Sequence, residues 1–567
     1  MRGSGAEILC SELQRAGVRH IFGVPGSALV DVWDAVRREP QMRVVRSTSE
    51  LMSSFMANGH ARATGKPAVL CAIAGPGLTY TVSGIAEALL DSIPLVFVVD
   101  AGAGVRADGA PGLQVIQQVD VLKPLVKCVF EVESADDVAL ATREALAVAC
   151  RGEPGPVLLQ LTAHALRGSS SVAEPEKVAP ALEPDIGSIA ERLSGACRPL
   201  LLLGQGAADA AADVERLAEW LRSPVIATTS GRGVVSERHE LSLASDVAGG
   251  SASVLNELVE HADLVLALGC KLSHNGSRGY SLVLPPERLI RVDTSEEVLR
   301  LTYPSSQTVE ADVASFVAAL RGQIDERSPA SEWSVEEIAT WRTRLAAERP
   351  ARFNPQLGPG SANDLFAALR RHLPDRGIVA TDSGLHQYIV RAHLAVLEPR
   401  TLLVPTGFQS MGYGVPAAIG GSLATGERAV AVTGDGGLNI VGLELLTAVR
   451  EKVPLTVIVI VDGYLGLIRL TQLARTGLET GVDVVTPQLD LFAQSLGAEY
   501  ARLDRSADMD AVLRAAIESD AVTIVEVPML EPPGIGRLRA RGRALSTMRG
   551  AVGEHAVDRF RRIVRRG

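Results

Sequence analysis

Aromatic residues are scarce: Phe, Trp and Tyr together make up only 4% of the chain. The cores must therefore be built from Ala, Val, Leu and Ile, which suits layered α/β folds with aliphatic parallel strands. Cysteines are few and scattered. Cys10, Cys71, Cys128, Cys150, Cys197 and Cys270 show no C-x-x-C spacing. That argues against a disulfide framework or a cysteine zinc site and suits reduced thiols in the cytoplasm. No uninterrupted apolar run reaches the length of a membrane span, and the first residues lack the apolar segment of a signal peptide. Positive charge is in deficit: a net charge of −10 argues against nucleic acid as the main partner. The expectation is a soluble, cytoplasmic protein with no nucleic-acid and no membrane partner.

What is present is length and aliphatic content. A chain of 567 residues, 47% of them apolar, exceeds one core and should divide into about three or four domains. Apolar strands alternating with helical patterns mark three α/β units, at 1–168, 188–325 and 355–533, followed by a basic tail at 534–567. The stretch Gly168–Gly187, rich in Ser, Pro, Glu and Ala, reads as a linker, and Arg352–Asn363 as a second. Ser334–Arg349 reads as a charged surface helix, and His555–Val564 as a helix in the Arg-rich tail. The tail is expected to be a solvated surface helix. A lid, or a contact to an acidic ligand such as phosphate, is the alternative.

The rest is organised around Ala429 to Leu470. The run Ala429–Thr433 reads as a buried parallel strand, followed by Gly434-Asp435-Gly436-Gly437 and a helical pattern from Val441 to Lys452. A second β-branched run, Leu455–Val461, ends at Asp462-Gly463-Tyr464-Leu465-Gly466. This β-α-β unit puts a carboxylate at the C-terminal end of each strand, where open α/β sheets bind ligands. Two such carboxylates repel unless a cation lies between them, and oxygen ligands suit Mg²⁺. Glycines around Asp435 let backbone N–H groups approach a diphosphate at a helix start. The local reading is a Mg-diphosphate cradle; an ordinary strand, Gly-rich turn and helix is the alternative.

The first unit opens with an amphipathic helix, Ala6–Ala16, a strand, Val18–Phe22, and the turn Gly23-Val24-Pro25-Gly26. Glu50 opens a long helix that ends at Thr64-Gly65. By itself, an acidic residue there only favours the helix macrodipole. Val69–Ala74 and Pro94–Asp100 read as strands. In the middle unit, strands are expected at Pro199–Leu203, Pro224–Thr228, Leu264–Leu268 and Leu289–Val292. The turn Gly204-Gln205-Gly206 after the first of them is weak evidence for a dinucleotide site.

Gly434-Asp435-Gly436, followed by a helix, a strand and a second metal-binding turn, resembles the thiamine diphosphate (ThDP) motif. Around Glu50, the segments Gly59-His60-Ala61-Arg62-Ala63-Thr64-Gly65-Lys66-Pro67, Gly75-Pro76-Gly77 and Ala88-Leu89-Leu90-Asp91-Ser92-Ile93-Pro94, continuing through Gln114 to Lys127, resemble the pyrimidine-binding domain of acetolactate synthases. The resemblance implies three doubly wound parallel-sheet α/β domains: pyrimidine-binding, central and diphosphate-binding.

The resemblance also assigns residues. Glu50 falls on the catalytic glutamate, whose carboxyl meets the pyrimidine N1′ and promotes proton removal by the cofactor's own amino group. Asp435, Asp462 and the Tyr464 carbonyl fall on the Mg²⁺ ligands, although Asp462 stands where the family has an Asn. Cofactor contacts map to Gly26, Pro76, Gln114, Ser383, Gly384, Leu385 and His386. They continue at Gln409, Met411, Gly434, Gly436, Gly437, Leu465 and Gly466. Met411 would lie under the cofactor and bend it, and Gln409 replaces a usual Gly. FAD is admitted in the middle domain but disfavoured, because Cys270-Lys271-Leu272-Ser273-His274 replaces the expected turn.

The activity implied is decarboxylation of a pyruvate-like 2-oxoacid with carboligation to a second carbonyl, in a homodimer or homotetramer with active sites between subunits. The run Tyr464–Arg469 suggests glyoxylate carboligase, a family that lacks the catalytic glutamate kept here as Glu50. Thr471 stands near the position of the Trp with which acetolactate synthases select the second substrate. A simple decarboxylase or lyase on a specialised substrate, or a non-catalytic ThDP-fold binding subunit, are the alternatives.

Overall fold

The computed structural model describes residues 2–102, 112–171, 186–249, 251–323, 331–348, 353–531 and 534–552. Three six-stranded parallel sheets dominate it. In the first domain the strands lie in the order Arg43–Arg46, His20–Gly23, Ala68–Ala72, Leu95–Asp100, Pro156–Leu161, Cys128–Val132. In the last domain the order is Leu402–Leu403, Ile378–Thr381, Ala429–Gly434, Leu455–Val461, Thr523–Pro528, Glu499–Arg502. Numbered within its own sheet, each reads 2-1-3-4-6-5, so the two domains share one topology. The central sheet, with Pro199–Leu203 and Leu264–Leu268 in the middle, reads 3-2-1-4-5-6.

The central strands are aliphatic and buried on both faces, as helix-covered parallel sheets require. One core runs from the first domain into the last, joining Phe55, Met56 and Ala61 to Tyr413, Val415 and Ala417. Its spine is the crossing of two helices, Glu50–Thr64 and Gly414–Thr425. Small residues allow the backbones to touch: a Cβ on Gly59 would lie 2.3 Å from the Ala417 carbonyl oxygen, and one on Gly420 2.0 Å from that of Met56. Gly420→Ala is therefore expected to destabilise the folded state by about 1–3 kcal/mol, because both helices must separate. Denaturant unfolding checks this, and an unchanged midpoint would contradict the packing.

Local differences from the sequence reading have physical causes. The helix expected from Val441 starts at Asp435 instead and runs to Val441, then continues through a tight turn to Leu445–Glu451. The charged helix, observed at Val335–Ala347, is not a free surface element. Ile338, Trp341 and Leu345, one face of it, are buried in the central core. The second linker holds a small hairpin, Gln356–Leu357 with Gly360–Ser361, which orders it. Most of the first linker and the tail helix expected at His555–Val564 lie outside the described residues. The tail does contain a helix, Ile535–Val552, packed on helix Gly466–Thr476; a Cβ on Gly542 would lie 1.9 Å from the Leu473 carbonyl oxygen. Among the described residues no helix is long and apolar enough to cross a membrane.

Candidate cofactor site

In a sheet of order 2-1-3, the chain leaves strands 1 and 3 on opposite sides, opening a crevice at their C-terminal ends. Both outer domains place candidate residues there. In the last domain a cavity of about 110 Å³ is lined by Ser383, Gly384, Leu385 and His386 after strand 1, and by Gly434, Asp435, Gly436 and Gly437 after strand 3. Asp462, Tyr464, Leu465 and Gly466 after strand 4 close it, with Met411 on the turn before helix Gly414–Thr425. Ile460, Leu467, Ile468 and Met529 complete the wall.

The acidic groups are tightly ordered. Asp435 accepts hydrogen bonds from the backbone N–H groups of Gly436 and Gly463, both at 2.9 Å, and from the Thr486 hydroxyl at 3.0 Å. Asp462 accepts from the Tyr464 N–H at 3.0 Å. Burial, together with the neighbouring Asp435 charge, raises the Asp462 pKa to about 6 despite that bond. The site thus holds two close carboxyls, one of which resists ionising. An all-oxygen pair of this kind suits a hard divalent cation. His386 pairs with buried Asp382 at 2.6 Å, and the other Asp382 oxygen accepts from the Gly412 N–H at 2.7 Å and from Thr433 Oγ1 at 3.3 Å. Asp382 therefore ties the His386 loop, the Met411 turn and the strand before Asp435 into one frame. Gly437 is required: a Cβ there would lie 2.3 Å from Asp382 Oδ2.

The first-domain candidates gather separately. A Cβ on Gly26 would fall 2.3 Å from the Ile73 side chain. One on Gly77 would fall 3.0 Å from the same side chain and 3.3 Å from Glu50 Oε1. Gly75, at φ +68°, sits beneath Gln114, and Pro76 starts the next helix. Gly26, Glu50 and Gln114 thus each neighbour the segment Ile73–Gly77 after strand 3 of their own sheet, which contains Pro76, and Glu50 does not line the cavity of the last domain. Gln409 lies outside that cavity as well. It keeps the left-handed backbone that Gly would favour, at φ +62°, which costs about 1–2 kcal/mol.

Sequence families described as thiamine pyrophosphate enzyme N-terminal TPP binding, central, and C-terminal TPP binding domains match residues 3–121, 186–320 and 382–527 in turn. The acetolactate synthase isozyme 1 large subunit of Escherichia coli is 30% identical over 557 residues, covering 94% of this chain and 96% of that protein. The chain belongs to the ThDP-dependent enzymes of acetolactate synthase type. The acetolactate synthase large subunit of Haemophilus influenzae is 26% identical, covering 96% and 98% of the two chains. The chloroplastic acetolactate synthase of Arabidopsis thaliana is 27% identical, covering 92% and 81%.

The polar frame of this site includes residues that the sequence reading did not name as cofactor contacts. Asp382 opens the Asp-x-Gly-x-His segment, so its i, i+4 relation to His386 was a usable signal. Thr486, which binds Asp435, and the carboxyls Glu87 and Glu444, which bind across domains, carry no local signal. A second cavity, of about 350 Å³, lies where the central domain meets the other two. Its wall carries the carboxyls of Asp91, Glu153, Asp209, Asp293 and Asp312. Its Lys271 and Arg400 are paired, with Glu153 and with Asp209.

Proposed function

We propose that this enzyme binds ThDP and Mg²⁺, decarboxylates a pyruvate-like 2-oxoacid and joins the remaining carbon unit to a second carbonyl. The observation that carries this reading is the pair of equivalent crevices, Glu50 at one and Asp435 with Asp462 at the other, on two sheets of one topology. Asp435, Asp462 and the Tyr464 carbonyl would hold the metal. The Gly434–Gly437 amides and the Ser383–His386 loop would hold the diphosphate. Met411 would support the bent cofactor, and Gly26, Pro76, Gln114 and the Gln409 backbone would surround its pyrimidine. Bound ThDP supplies an acidic carbon and an electron sink for decarboxylation. Glu50 holds and moves a proton at the pyrimidine N1′.

Because Glu50 is absent from the cavity that holds Asp435, a complete site needs a second copy of the chain. A homodimer is the smallest unit we propose, and a tetramer fits equally. Exposed apolar side chains near the crevices, among them Tyr80, Leu113, Phe408, Leu443 and Leu446, suit such an interface. FAD is disfavoured: Cys270–His274 stands in place of the turn the family has after strand Leu264–Leu268, and the carboxyls on the central cavity wall would repel a pyrophosphate. We place the protein in the cytoplasm, as its free cysteines suit, and take the domain limits as 1–168, 188–325 and 355–533.

Thr471 in place of the selecting Trp keeps a simple decarboxylase as the second reading; a non-catalytic binding subunit is the third. Incubating the protein with ThDP, Mg²⁺ and a panel of 2-oxoacids separates them. CO₂ with a condensed hydroxyketone is the expected result. Free aldehyde would make the enzyme a decarboxylase, and no CO₂ from any donor, despite bound ThDP, would overturn the catalytic reading.

A further inference from the structure

Two buried carboxyls outside the cofactor crevices make matching contacts across the domain boundary. Glu87 stands on the helix after strand 3 of the first domain. Its Oε2 accepts from both the backbone N–H and the hydroxyl of Ser410 in the last domain, at 3.1 and 2.9 Å. Glu444 stands in the helical segment after strand 3 of the last domain. Its Oε2 accepts from both the backbone N–H, at 3.0 Å, and the hydroxyl of Thr48 in the first domain. Both gripped residues follow strand 2 of their sheets. Both side chains are 0% exposed, and each leaves Oε1 buried without a partner.

The gripped residues adjoin the site. Ser410 lies between Gln409 and Met411, and Thr48 lies two residues before Glu50. We propose that Glu87 and Glu444 are reciprocal positioning residues: each domain uses one buried carboxyl to set the segment that carries the other domain's half of the active site. This rests on the ThDP reading above. In a dimer with shared sites, each chain then ties together halves that serve two different sites. Burial raises both carboxyls, Glu87 to about 7, which favours a neutral form. Neutrality is not needed for the grip, since a Gln side-chain oxygen accepts the same two bonds.

The test uses the full chain with Mg²⁺ and ThDP. Binding is followed by calorimetry, and activation of the cofactor by deuterium exchange at its acidic C–H. Glu444→Ala, which loosens the Glu50 segment, is expected to slow exchange at least tenfold with ThDP affinity changed less than threefold. Glu87→Ala, which loosens the Met411 turn, is expected to weaken ThDP binding at least fivefold. Glu444→Gln and Glu87→Gln are expected to retain near wild-type values. Should an Ala variant fail to fold, Thr48→Val and Ser410→Ala probe the same contacts with smaller changes in the same directions. Exchange and affinity within twofold of wild type in folded variants, or Gln variants as impaired as Ala, would overturn the proposal. Wild-type protein that binds no ThDP would instead remove the function reading, and the proposal with it.

Discussion

Glu50→Gln is expected to lower turnover by roughly 10²–10⁴-fold, the range for loss of a positioned proton-transfer group, while ThDP still binds. The substitution keeps the size of the side chain and its half-buried place in the first turn of helix Glu50–Thr64. It forfeits only the helix-dipole interaction of a charge, about 0.3–1 kcal/mol, so the fold should survive. What is lost is the ability to hand a proton to a ring nitrogen, because an amide does not ionise there. Steady-state kinetics with calorimetric ThDP titration decide the matter. Turnover within tenfold of wild type would reduce Glu50 to a helix-start residue, the reading its sequence position alone allows.

The difference between those two readings shows where the sequence was informative. Strand positions were legible because parallel strands under helices are continuous aliphatic runs: Ala429–Thr433 and Leu455–Val461 stand almost where their composition puts them. Their carboxylates were legible because strand ends are local. The helix start at Asp435 was not, because Gly436 and Gly437 are poor helix formers. The structure overrides that propensity by bringing Asp382 and Thr433 against Gly437, where any side chain would collide. The cross-domain contacts were also hidden. Glu444 meets a residue 396 positions away and Glu87 one 323 away, and no periodicity encodes such a pairing. Glu50 stands between these cases: its helix was legible from its own residues, and its role only from the segments around it.

Asp462→Asn is expected to stabilise the metal-free protein at pH 8 and to leave it nearly unchanged at pH 4. The Asp462 carboxyl is raised to about 6 in the folded state, by burial first and by Asp435 second, against about 3.9 in an unfolded chain. The folded state therefore prefers the protonated form. Whatever stability that preference supplies is fully present below about pH 4 and is lost as pH rises through 6. Two pKa units at 1.36 kcal/mol each put the loss on the order of 3 kcal/mol. An Asn, which keeps an oxygen for the Tyr464 N–H bond, does not titrate and escapes the loss. Bound Mg²⁺ would oppose it in the wild type by placing positive charge between the carboxylates, so the two proteins should converge when Mg²⁺ is added at pH 8. Thermal unfolding of both, from pH 4 to 8.5 with and without Mg²⁺, measures every part of this. A difference that stays constant across pH would show that Asp462 ionises normally. A pH-dependent difference untouched by Mg²⁺ would show that the metal is held elsewhere than between Asp435 and Asp462.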